Sequence, residues 1–384
     1  MRIGISLAAL TNRGGIGRYL RLLIRGFSRF HSDHNYIGFI PEFRSDETRK
    51  VLNDEGIDHW ELIEVPCGNR WAYETRGLPA AVKEITPDII HGPDYLAPSR
   101  DVGCPTCVTV HDLAFRLHPS GMAFKSRLLF RMLAPGAIKH AASSGTVFTD
   151  SLSTLKDLRK LNWISDDKGK VVHLACEEDF AAVINERHME IVCDKYNLPP
   201  KYILYVGPIE KRKNIMVLVD AMRIVASVLR RRDEDVPALV AVGSLGAGGE
   251  KLNKSLVQAS DGQFMHVGYV PREDLPAIYH GCEVFCYPSR YEGFGLPPLE
   301  AMTAGKAVIV SNATSLPEVV GDAGILVDPD DTPGWAQAIL TFFTNERNRI
   351  DCELASIQQS KKFSIEKMCA EVMEGYEKAV SGYG

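Results

Sequence analysis

The sequence predicts an α/β protein built from two doubly wound parallel sheets. Short apolar runs that suit buried strands alternate with amphipathic stretches that suit helices, as in consecutive βαβ units. This alternation occurs in two successive series, and the second series begins at Tyr202. The chain has 384 residues, which fits two domains of roughly 100–200 residues each. We therefore expect two compact domains, each containing one parallel sheet.

Seven strands are expected in the first series. Each is a short run dominated by aliphatic and aromatic residues and bounded by polar or turn-forming residues. Helical patterns fill the gaps, most clearly at Gly17–Phe30 and Met122–Ala142. The predicted strands are Arg2–Leu7, Tyr36–Ile40, Glu61–Val65, Asp88–His91, Thr106–His111, Thr146–Thr149 and Lys170–Leu174.

Six strands are expected in the second series. The charged stretch Cys176–Pro200 is the predicted connection between the two series. We assign residues 1–180 to an N-terminal domain, residues 181–363 to a C-terminal domain and residues 364–384 to a final helix. The predicted strands are Tyr202–Gly207, Ala238–Val242, Phe264–Val267, Glu283–Tyr287, Ala307–Val310 and Ile325–Val327.

The composition argues against several classes of protein. Hydrophobic residues make up 45% of the chain and charged residues 24%, which is typical of a globular enzyme with full cores. A net charge of −5 argues against general nucleic-acid binding. No apolar run reaches the roughly 18 residues that a membrane span requires, and the N-terminus begins with a strand pattern rather than a signal peptide. We expect a cytoplasmic protein.

The cysteines support the same compartment. There are nine, an odd number that is scattered through apolar segments, as is typical of reduced thiols. Cys104 and Cys107 form one C-x-x-C at the start of a predicted strand. Since no second ligand pair accompanies them, the sequence assigns them neither a redox nor a metal role.

A glycine-rich turn between two glutamates is the most informative motif. Glu292 and Glu300 stand eight positions apart, after a predicted strand and within a predicted helix over Pro297–Gly305. The turn amides would lie at the helix N-terminus, where unpaired donors and the helix dipole favour a diphosphate. One carboxylate could then reach a sugar and the other a ribose. The turn residues are Gly293, Phe294, Gly295 and Leu296.

Two further segments carry chemistry at the ends of predicted strands. Arg212 and Lys213 follow the first strand of the second series, where two cations could neutralise a diphosphate. His111 ends an apolar strand of the first series, at the sheet edge where open α/β sheets bind ligands. Gly14 and Gly15 follow the first strand and allow a close backbone approach to an anion.

The glutamate pair with its Pro-Ser-x-x-Glu-Gly-Phe-Gly-Leu-Pro context resembles the E-x7-E element of retaining glycosyltransferases of the family 4 type. The resemblance covers essentially the whole chain and is strongest from Tyr202 to Pro329. It implies the GT-B fold, in which two Rossmann-like domains face each other across a cleft and the last helix crosses back to the first domain. The donor would be held mainly by the C-terminal domain and the acceptor by the N-terminal one.

The resemblance also implies residue roles. As catalytic residues, Arg212 and Lys213 would stabilise the leaving diphosphate, Glu292 would orient the sugar, and His111 would contact the sugar from across the cleft. Glu300 would hold the ribose. The other donor-binding residues implied by the resemblance are Gly14, Gly15, Gly293, Phe294, Gly295, Leu296 and Val270, the last beside the nucleobase. Pro208 departs from relatives that carry another arginine at this point, so that phosphate contact is missing here.

The implied reaction needs no metal and no cofactor. Such enzymes lack an obvious nucleophile beneath the anomeric carbon, and a front-face route through an oxocarbenium-like state is inferred for them. Similarity of His111–Phe115 and the Glu292–Glu300 region to bacterial O-antigen and exopolysaccharide mannosyltransferases favours GDP-mannose, with UDP-sugars and dTDP-rhamnose as open alternatives. The expected acceptor is a glycan or a glycan linked to a lipid diphosphate.

Two other functional classes share these features. A nicotinamide-dependent oxidoreductase would explain two Rossmann-like halves, but Gly14, Gly15 and Gly17 do not form G-x-G-x-x-G. It also leaves the glutamate pair unexplained. A non-catalytic sugar-nucleotide-binding module would share the fold, and the intact set of charged residues argues against it.

One helix also suggests a membrane contact. Four arginines recur at spacings of three and four on the predicted helix Gly17–Phe30, which gathers them on one face. A basic face on an acidic protein suits the inner surface of a membrane carrying anionic lipids. We therefore expect peripheral, salt-sensitive membrane contact through this helix; a solvated basic face is the alternative. The arginines are Arg18, Arg21, Arg25 and Arg29.

Overall fold

The structure is a computed structural model that describes residues 1–12, 14–119, 124–182 and 184–383. The chain divides into two compact units. The first unit comprises Met1–Leu117, Phe124–Ala175 and Phe363–Gly384, and the second comprises chiefly Cys176–Lys362. Each unit contains one sheet flanked by helices, and every strand pairing is parallel. The predicted α/β fold class is therefore confirmed.

The described part of the first unit contains seven strands, each close to its predicted position. They are β1 (Arg2–Ser6), β2 (Asn35–Pro41), β3 (Glu61–Val65), β4 (Ile89–Gly92), β5 (Thr106–Val110), β6 (Val147–Thr149) and β7 (Lys170–Val171). Their order in the sheet is β3-β2-β1-β4-β5-β6-β7. The last strand is shorter than predicted because its only partner, β6, ends at Thr149, which pairs with Val171.

The helices of the first unit cover both faces of this sheet's strands, which are largely buried. In chain order they are α1 (Gly15–Phe30), α2 (Ser45–Asp54), α3 (Arg70–Ala72), α4 (Leu78–Ile85), α5 (Ala114–Leu117), α6 (Phe124–Ser144) and α7 (Leu152–Lys160). The first helix begins two residues earlier than predicted, with Gly14 as its N-cap. The predicted start of the sixth helix at Met122 lies outside the described residues.

The second unit contains six strands and eight helices among its described residues. The strands are β8 (Tyr202–Val206), β9 (Ala238–Val242), β10 (Phe264–Gly268), β11 (Val284–Tyr287), β12 (Ala307–Ser311) and β13 (Ile325–Val327). The helices are α8 (Glu186–Lys195), α9 (Met216–Arg231), α10 (Gly249–Ala259), α11 (Leu275–Gly281), α12 (Leu296–Thr303), α13 (Leu316–Val320), α14 (Thr332–Thr344) and α15 (Glu346–Ser360). The strand order is β10-β9-β8-β11-β12-β13.

The last helix, α16 (Ile365–Ser381), belongs to the first unit. It packs against α1, where the thiol of Cys369 lies beside Gly26 and contacts the carbonyl of Leu23. Further along, Tyr376 donates or accepts a hydrogen bond with the buried ring of His91, at 2.6 Å. These contacts are buried, so the helix is part of the hydrophobic core of the first unit.

Both sheets reverse their strand order at one point. In the first sheet the reversal lies between β1 and β4, and in the second it lies between β8 and β11. In open parallel sheets, ligands bind outside the carboxyl ends of the strands at this switch point. The loops that follow these four strands are therefore the places to look for a site. Among the described residues, no helix combines the length and the hydropathy required to cross a bilayer.

Candidate functional site

An ion pair between the buried Lys213 and the partly buried Glu292 lies at the switch point of the second sheet. Lys213 follows β8, and Glu292 follows β11, the neighbouring strand. The ammonium nitrogen Nζ of Lys213 donates to Oε1 of Glu292 at 2.6 Å and to the hydroxyl of Tyr287 at 2.8 Å. The same ammonium lies 5.2 Å from the centre of the Tyr287 ring. Sequence analysis predicted both charged residues, and the fold brings them into direct contact.

Arg212 extends this cluster through both ends of its guanidinium. Its Nη2 donates to Oε1 of Glu210 at 2.6 Å, and its Nη1 donates to the carbonyl oxygen of Tyr291 at 2.6 Å. Nη1 also lies 3.6 Å from Oε2 of Glu292. Two cations and two carboxylates therefore share one buried region. The guanidinium plane is fixed between two loops, so its donors cannot turn away from this edge of the sheet.

The electrostatics of the cluster follow from burial and from the neighbouring charges. Burial disfavours ionisation of Glu292, but the charges of Lys213 and Arg212 outweigh it and lower the pKa of this carboxyl below its usual range. Burial also lowers the pKa of Lys213; the Glu292 carboxylate opposes this, whereas the Arg212 guanidinium adds to it. An incoming diphosphate would add negative charge beside both cations and so favour their charged forms.

The glycine-rich turn connects this cluster to α12. Gly295 is the N-cap of the helix, and its φ of 124° lies in the region that favours glycine. A Cβ at this position would also lie 2.8 Å from Cδ2 of Leu316. Thr314 and Ser315 hold the turn from the next loop: the Glu292 amide donates to Oγ1 of Thr314 at 3.0 Å, and the Ser315 hydroxyl donates to the Phe294 carbonyl at 2.6 Å. These contacts fix the backbone of the turn that connects Glu292 to α12.

The role of Ser315 differs from a local expectation. Its position three residues before Glu318 predicts a helix-capping box. In the structure its hydroxyl makes no capping hydrogen bond to its own helix, α13, and instead donates to the carbonyls of Glu292 and Phe294. The capping prediction is wrong, because the turn supplies buried carbonyl acceptors that the sequence does not reveal.

Glu300, the predicted ribose ligand, is almost completely buried in α12. Its Oε2 accepts a hydrogen bond from the hydroxyl of Tyr279 at 2.7 Å, and Tyr279 is itself a fully buried residue of α11. The second glutamate of the motif is therefore anchored by a side chain that sequence analysis did not identify. Its contact with a ribose stays a prediction.

The predicted nucleobase turn follows β10 in the same unit. Val270 is buried, whereas the preceding Tyr269 is 61% exposed. The carboxyl ends of β9 and β10 are tied together, because the amide of Gly243 donates to the carbonyl of Gly268 at 2.8 Å. His266 adds a hydrogen bond between its ring Nε2 and the Gly243 carbonyl, also at 2.8 Å. The backbone of the turn is thus well supported, and its contact with a base stays a prediction.

His111 lies in the first unit, at the carboxyl end of β5, and it is paired with Asp150. Ring nitrogen Nδ1 lies 2.8 Å from Oδ2 of Asp150, and Nε2 lies 2.8 Å from the carbonyl oxygen of Pro93. Val110 pairs with Thr149 in the sheet. His111 directly follows Val110, and Asp150 directly follows Thr149. The two side chains therefore leave neighbouring strands at the same level of the sheet. The rings of Tyr19 and Tyr95 contact the imidazole edge-on.

These two contacts define the charge of His111. A backbone carbonyl only accepts hydrogen bonds, so Nε2 carries a proton. Nδ1 then faces a carboxyl group, and one further proton is shared between them. Burial disfavours the imidazolium, but the charge and hydrogen bond of Asp150 outweigh it and raise the pKa of His111. Burial also raises the pKa of Asp150, against the charge and hydrogen bond of His111. The proton is therefore held between the two groups, and both ring nitrogens of His111 already have partners within the first unit.

The loop after β1 carries the remaining predicted residues. Gly14 precedes α1 in an extended conformation, and its amide donates to Oδ1 of Asn12 at 2.8 Å. Gly15 is the first residue of the helix. Gly17 must be glycine, because a Cβ there would lie 1.8 Å from the Asn12 carbonyl oxygen. The backbone is thus tightly turned at the switch point of the first sheet, and its contact with donor phosphates stays a prediction.

The two cysteines of the C-x-x-C motif are buried thiols in the first unit. Cys104 and Cys107 are free, and burial raises the pKa of each to about 12. Such thiols stay protonated at neutral pH and are poor nucleophiles. Among the described residues, no group of three or more His, Cys, Asp or Glu side chains is arranged to hold a metal ion.

Sequence analysis missed several residues that form hydrogen bonds with the predicted site residues. Each is polar or aromatic and stands at or just beyond the end of a strand or in a neighbouring helix, where it also serves the fold. Asp150 carried the clearest signal, since it follows a strand adjacent to that of His111. The missed residues are Asp150, Glu210, Tyr279, Tyr287 and Thr314.

The fold of this chain is the GT-B fold, which it shares with solved glycosyltransferases. A glycosyltransferase from Rickettsia africae superposes with a TM-score of 0.75 at 17% identity, covering 99% of both chains. HepE from Anabaena, solved with UDP and glucose, superposes with a TM-score of 0.74 at 16% identity, covering 98% of this chain and all of HepE. Sequence identities this low establish the shared fold alone.

Sequence comparison identifies the family. The model of Glycosyltransferase Family 4 matches residues 13–179, and that of Glycosyl transferases group 1 matches residues 194–359. O-antigen chain mannosyltransferase B of Escherichia coli is 31% identical over 94% of this chain and 96% of its own. The serotype-specific mannosyltransferase WbdA of Escherichia coli is also 31% identical, over 77% of this chain and 37% of its own. This chain belongs to the family 4 type of glycosyltransferase.

Proposed function

We propose that this protein is a retaining, metal-independent hexosyltransferase that moves mannose from GDP-mannose to a glycan acceptor. The observation that carries the proposal is the buried cluster of Arg212, Lys213 and Glu292 at the switch point of the second sheet. The sugar and acceptor are suggested by the two Escherichia coli relatives described above, which are mannosyltransferases.

The cluster suits a nucleoside diphosphate. Arg212 offers a planar set of donors and Lys213 a compact ammonium, and both match phosphate oxygens. The diphosphate gains negative charge as the glycosidic bond breaks, so fixed cations stabilise the transition state more than the bound donor. In this proposal Glu292 has two tasks: it holds the cations in place before the donor binds, and it orients a sugar hydroxyl afterwards.

The retaining course rests on the family. The C1–O bond to the diphosphate breaks as the acceptor oxygen attacks from the same face. The acceptor proton passes to a phosphate oxygen of the leaving group, so no protein nucleophile is needed. We propose that Glu300 holds the ribose, that Val270 and the turn Gly293–Leu296 contact the nucleotide, and that Gly14, Gly15 and His111 also contribute to the transfer site.

The proposed setting is surface polysaccharide synthesis in the cytoplasm. One relative is an O-antigen chain mannosyltransferase, and a structural neighbour, WaaG, is a glycosyltransferase involved in lipopolysaccharide biosynthesis. We propose a glycan, or a glycan linked to a lipid diphosphate, as the acceptor. Peripheral contact with the inner face of the membrane would bring the enzyme to such an acceptor.

The donor is tested first by ligand binding. Thermal unfolding is measured with GDP, UDP, dTDP and ADP, since a ligand that binds the folded state alone stabilises it by RT ln(1 + [L]/Kd). The proposal expects stabilisation by GDP well above that by the other three. Preferential stabilisation by UDP would instead favour a UDP-sugar, as in the HepE structure with UDP and glucose.

Transfer and its stereochemistry are tested next. Incubation with GDP-mannose and a mannose-terminated oligosaccharide should give an extended product whose new linkage is α, the configuration of the donor, by nuclear magnetic resonance. A β linkage would exclude retention. Oxidation or reduction of a nicotinamide cofactor with candidate substrates would support the oxidoreductase alternative, and nucleotide-sugar binding without hydrolysis or transfer would support a binding module.

A further inference from the structure

The first half of α6 carries an apolar stripe that is exposed to solvent. Phe124, Leu128 and Met132 are 66%, 46% and 58% exposed. They recur every four residues, so they lie above one another on one face of the helix. Exposed apolar side chains that lie next to one another mark sites of contact more often than single ones do.

The opposite side of the helix faces the core of the first unit. Phe130 packs against the rings of Tyr95 and Phe115, with centroid distances of 5.0 and 5.9 Å. Further along the helix, Ala134 is also buried. These contacts fix the rotation of the helix about its axis. The exposed stripe therefore faces away from the core of the first unit.

Positive charges border the stripe. At 100° per residue, Lys125 lies on one side of it, and Arg127 and Arg131 lie on the other. The sequence of α6, Phe124–Ser144, contains no Asp or Glu. This is a local excess of positive charge in a chain whose net charge is −5. Apolar side chains can enter the headgroup boundary of a membrane while neighbouring cations contact anionic lipids, and this part of α6 offers both.

The arginines of α1, which sequence analysis expected to face a membrane, are arranged differently. Arg21 and Arg25 both pair with Glu55, at 3.6 and 3.1 Å. Arg21 also donates to the carbonyl of Leu10 at 3.0 Å. Part of the charge on this face is therefore neutralised within the fold. The apolar residues of the helix that could enter a lipid layer are directed inward, since Leu20, Leu23, Ile24 and Phe27 are all buried.

We propose that the exposed face of α6, formed by Phe124, Lys125, Leu128, Arg131 and Met132, is the surface by which this protein attaches to membranes containing anionic lipid. The inference rests on the proposed function, because it assigns the proposed membrane contact to a particular surface. The apolar side chains would enter the headgroup boundary, and the cations would lie among the lipid phosphates. Charge complementarity favours a bilayer, since the helix has no acidic group to repel its anionic surface.

Vesicle co-sedimentation tests the proposal with the full-length protein. Vesicles of phosphatidylcholine alone are compared with vesicles that also contain phosphatidylglycerol, at low and high salt. Wild-type protein should bind the mixed vesicles, weakly bind the neutral ones, and be released by salt. Lys125→Gln with Arg131→Gln should weaken binding to mixed vesicles by about 30-fold, since each cation near an anionic surface contributes about 1 kcal/mol.

Apolar variants test the stripe itself, and the chain offers a matched control. Phe124→Ser, Leu128→Ser and Met132→Ser, combined or as the single Leu128→Ser change, should reduce binding to both kinds of vesicle. The control is Ile350→Ser with Leu354→Ser on α15, where two side chains are also exposed, at 43% and 59%. Removing these should leave vesicle binding unchanged. A thermal unfolding curve for each variant confirms that it is folded.

Parallel measurements separate this inference from the proposed function. GDP-mannose hydrolysis in the absence of vesicles should be unchanged in the α6 variants. Loss of vesicle binding with hydrolysis retained supports the surface. Vesicle binding that survives both sets of α6 changes overturns it, as does loss of binding only when Arg21, Arg25 and Arg29 are changed to glutamate. A change in oligomeric mass without a change in vesicle binding would also overturn it, in favour of a contact between copies of the chain. Absence of hydrolysis in every variant and in the wild type would count against the proposed function alone.

Discussion

The buried ammonium of Lys213 donates to the partly buried carboxylate of Glu292 at 2.6 Å, at the switch point of the second sheet. A donor diphosphate at this position would compete with Glu292 for the same ammonium. Glu292 would thus hold the ammonium in position before the donor binds. The ammonium would stay in place when the diphosphate replaces Glu292 as its partner. Breaking a buried pair by removing one partner is costly, because the remaining charge stays buried.

Substitution of Lys213 by alanine should weaken binding of GDP far more than binding of guanosine. The proposed partner of the ammonium is a phosphate oxygen, and loss of a hydrogen bond to a charged group costs about 1.5–3 kcal/mol. Isothermal titration with the two ligands measures the difference. Equal losses for GDP and guanosine would mean that Lys213 does not contact the diphosphate.

As pH rises, the affinity for GDP should begin to fall at a lower pH than it would if Lys213 had the pKa of an ordinary lysine. Burial lowers the pKa of Lys213 from its usual value, so its charge is lost below the range of about 10.4 that is typical of lysine. Titrations of GDP between neutral and alkaline pH measure this fall in affinity. Lys213→Arg should abolish it, because a guanidinium stays charged throughout this range. If the affinity of the arginine variant still falls over the same pH range, another group must be losing its charge.

The two glutamates of the motif should have separable effects. Glu300→Gln should weaken GDP binding by about 1.5–3 kcal/mol, because the proposed ribose contact loses its charge. Glu292→Gln should reduce turnover more than it reduces nucleotide affinity. Tyr279→Phe removes the hydroxyl that anchors Glu300 and should produce a smaller loss of affinity than Glu300→Gln. Steady-state kinetics and titration together measure these effects, and the reverse pattern for the two glutamates would contradict their roles.

Asp150→Asn should reduce stability mainly at low pH. The folded-state pKa of His111 is raised, chiefly by Asp150 against the effect of burial. The stabilisation is therefore fully present below the unfolded value of about 6.5 and is lost as pH rises through the folded value. Chemical unfolding at about pH 5.5 should show a loss of about 1.5–3 kcal/mol in the variant, with a smaller difference at about pH 9.

The protonation state of His111 can also be observed directly. In the wild type, both ring nitrogens should carry protons at about pH 5.5, below the usual histidine pKa of about 6.5, by nitrogen nuclear magnetic resonance, whereas the asparagine variant should have a neutral ring. A neutral ring in the wild type at low pH would contradict the assigned pair. A transfer rate that follows the same titration would link the imidazolium to turnover.

Addition of EDTA should leave sugar transfer largely unchanged. In the proposed mechanism, Arg212, Lys213 and the N-terminal amides of α12 supply the positive charge that a metal ion would otherwise supply. The rate is measured before and after chelation, with manganese added back as the control. Complete loss of activity that manganese restores would mean that the diphosphate is activated by a metal.

The sequence by itself determined the strands, their grouping into two sheets and the motif residues. Buried parallel strands are short apolar runs, and a run such as Ala307–Ser311 reads as a strand in any context that buries both faces. The glutamate pair and the basic pair stand at fixed places relative to such strands, so their positions at the sheet edge follow from local patterns. Glycine at position 295 likewise meets a local backbone requirement, a positive φ.

The tertiary structure alone decided which of these residues have which partners. Asp150 lies beside His111 because the register of β5 and β6 pairs Val110 with Thr149, and no local pattern encodes a register between strands that are far apart in sequence. Glu55 likewise neutralises part of the arginine face of α1 from a distant helix end. Helical periodicity predicts which side chains share a face, but only the packing of neighbouring elements determines whether that face is paired, buried or exposed.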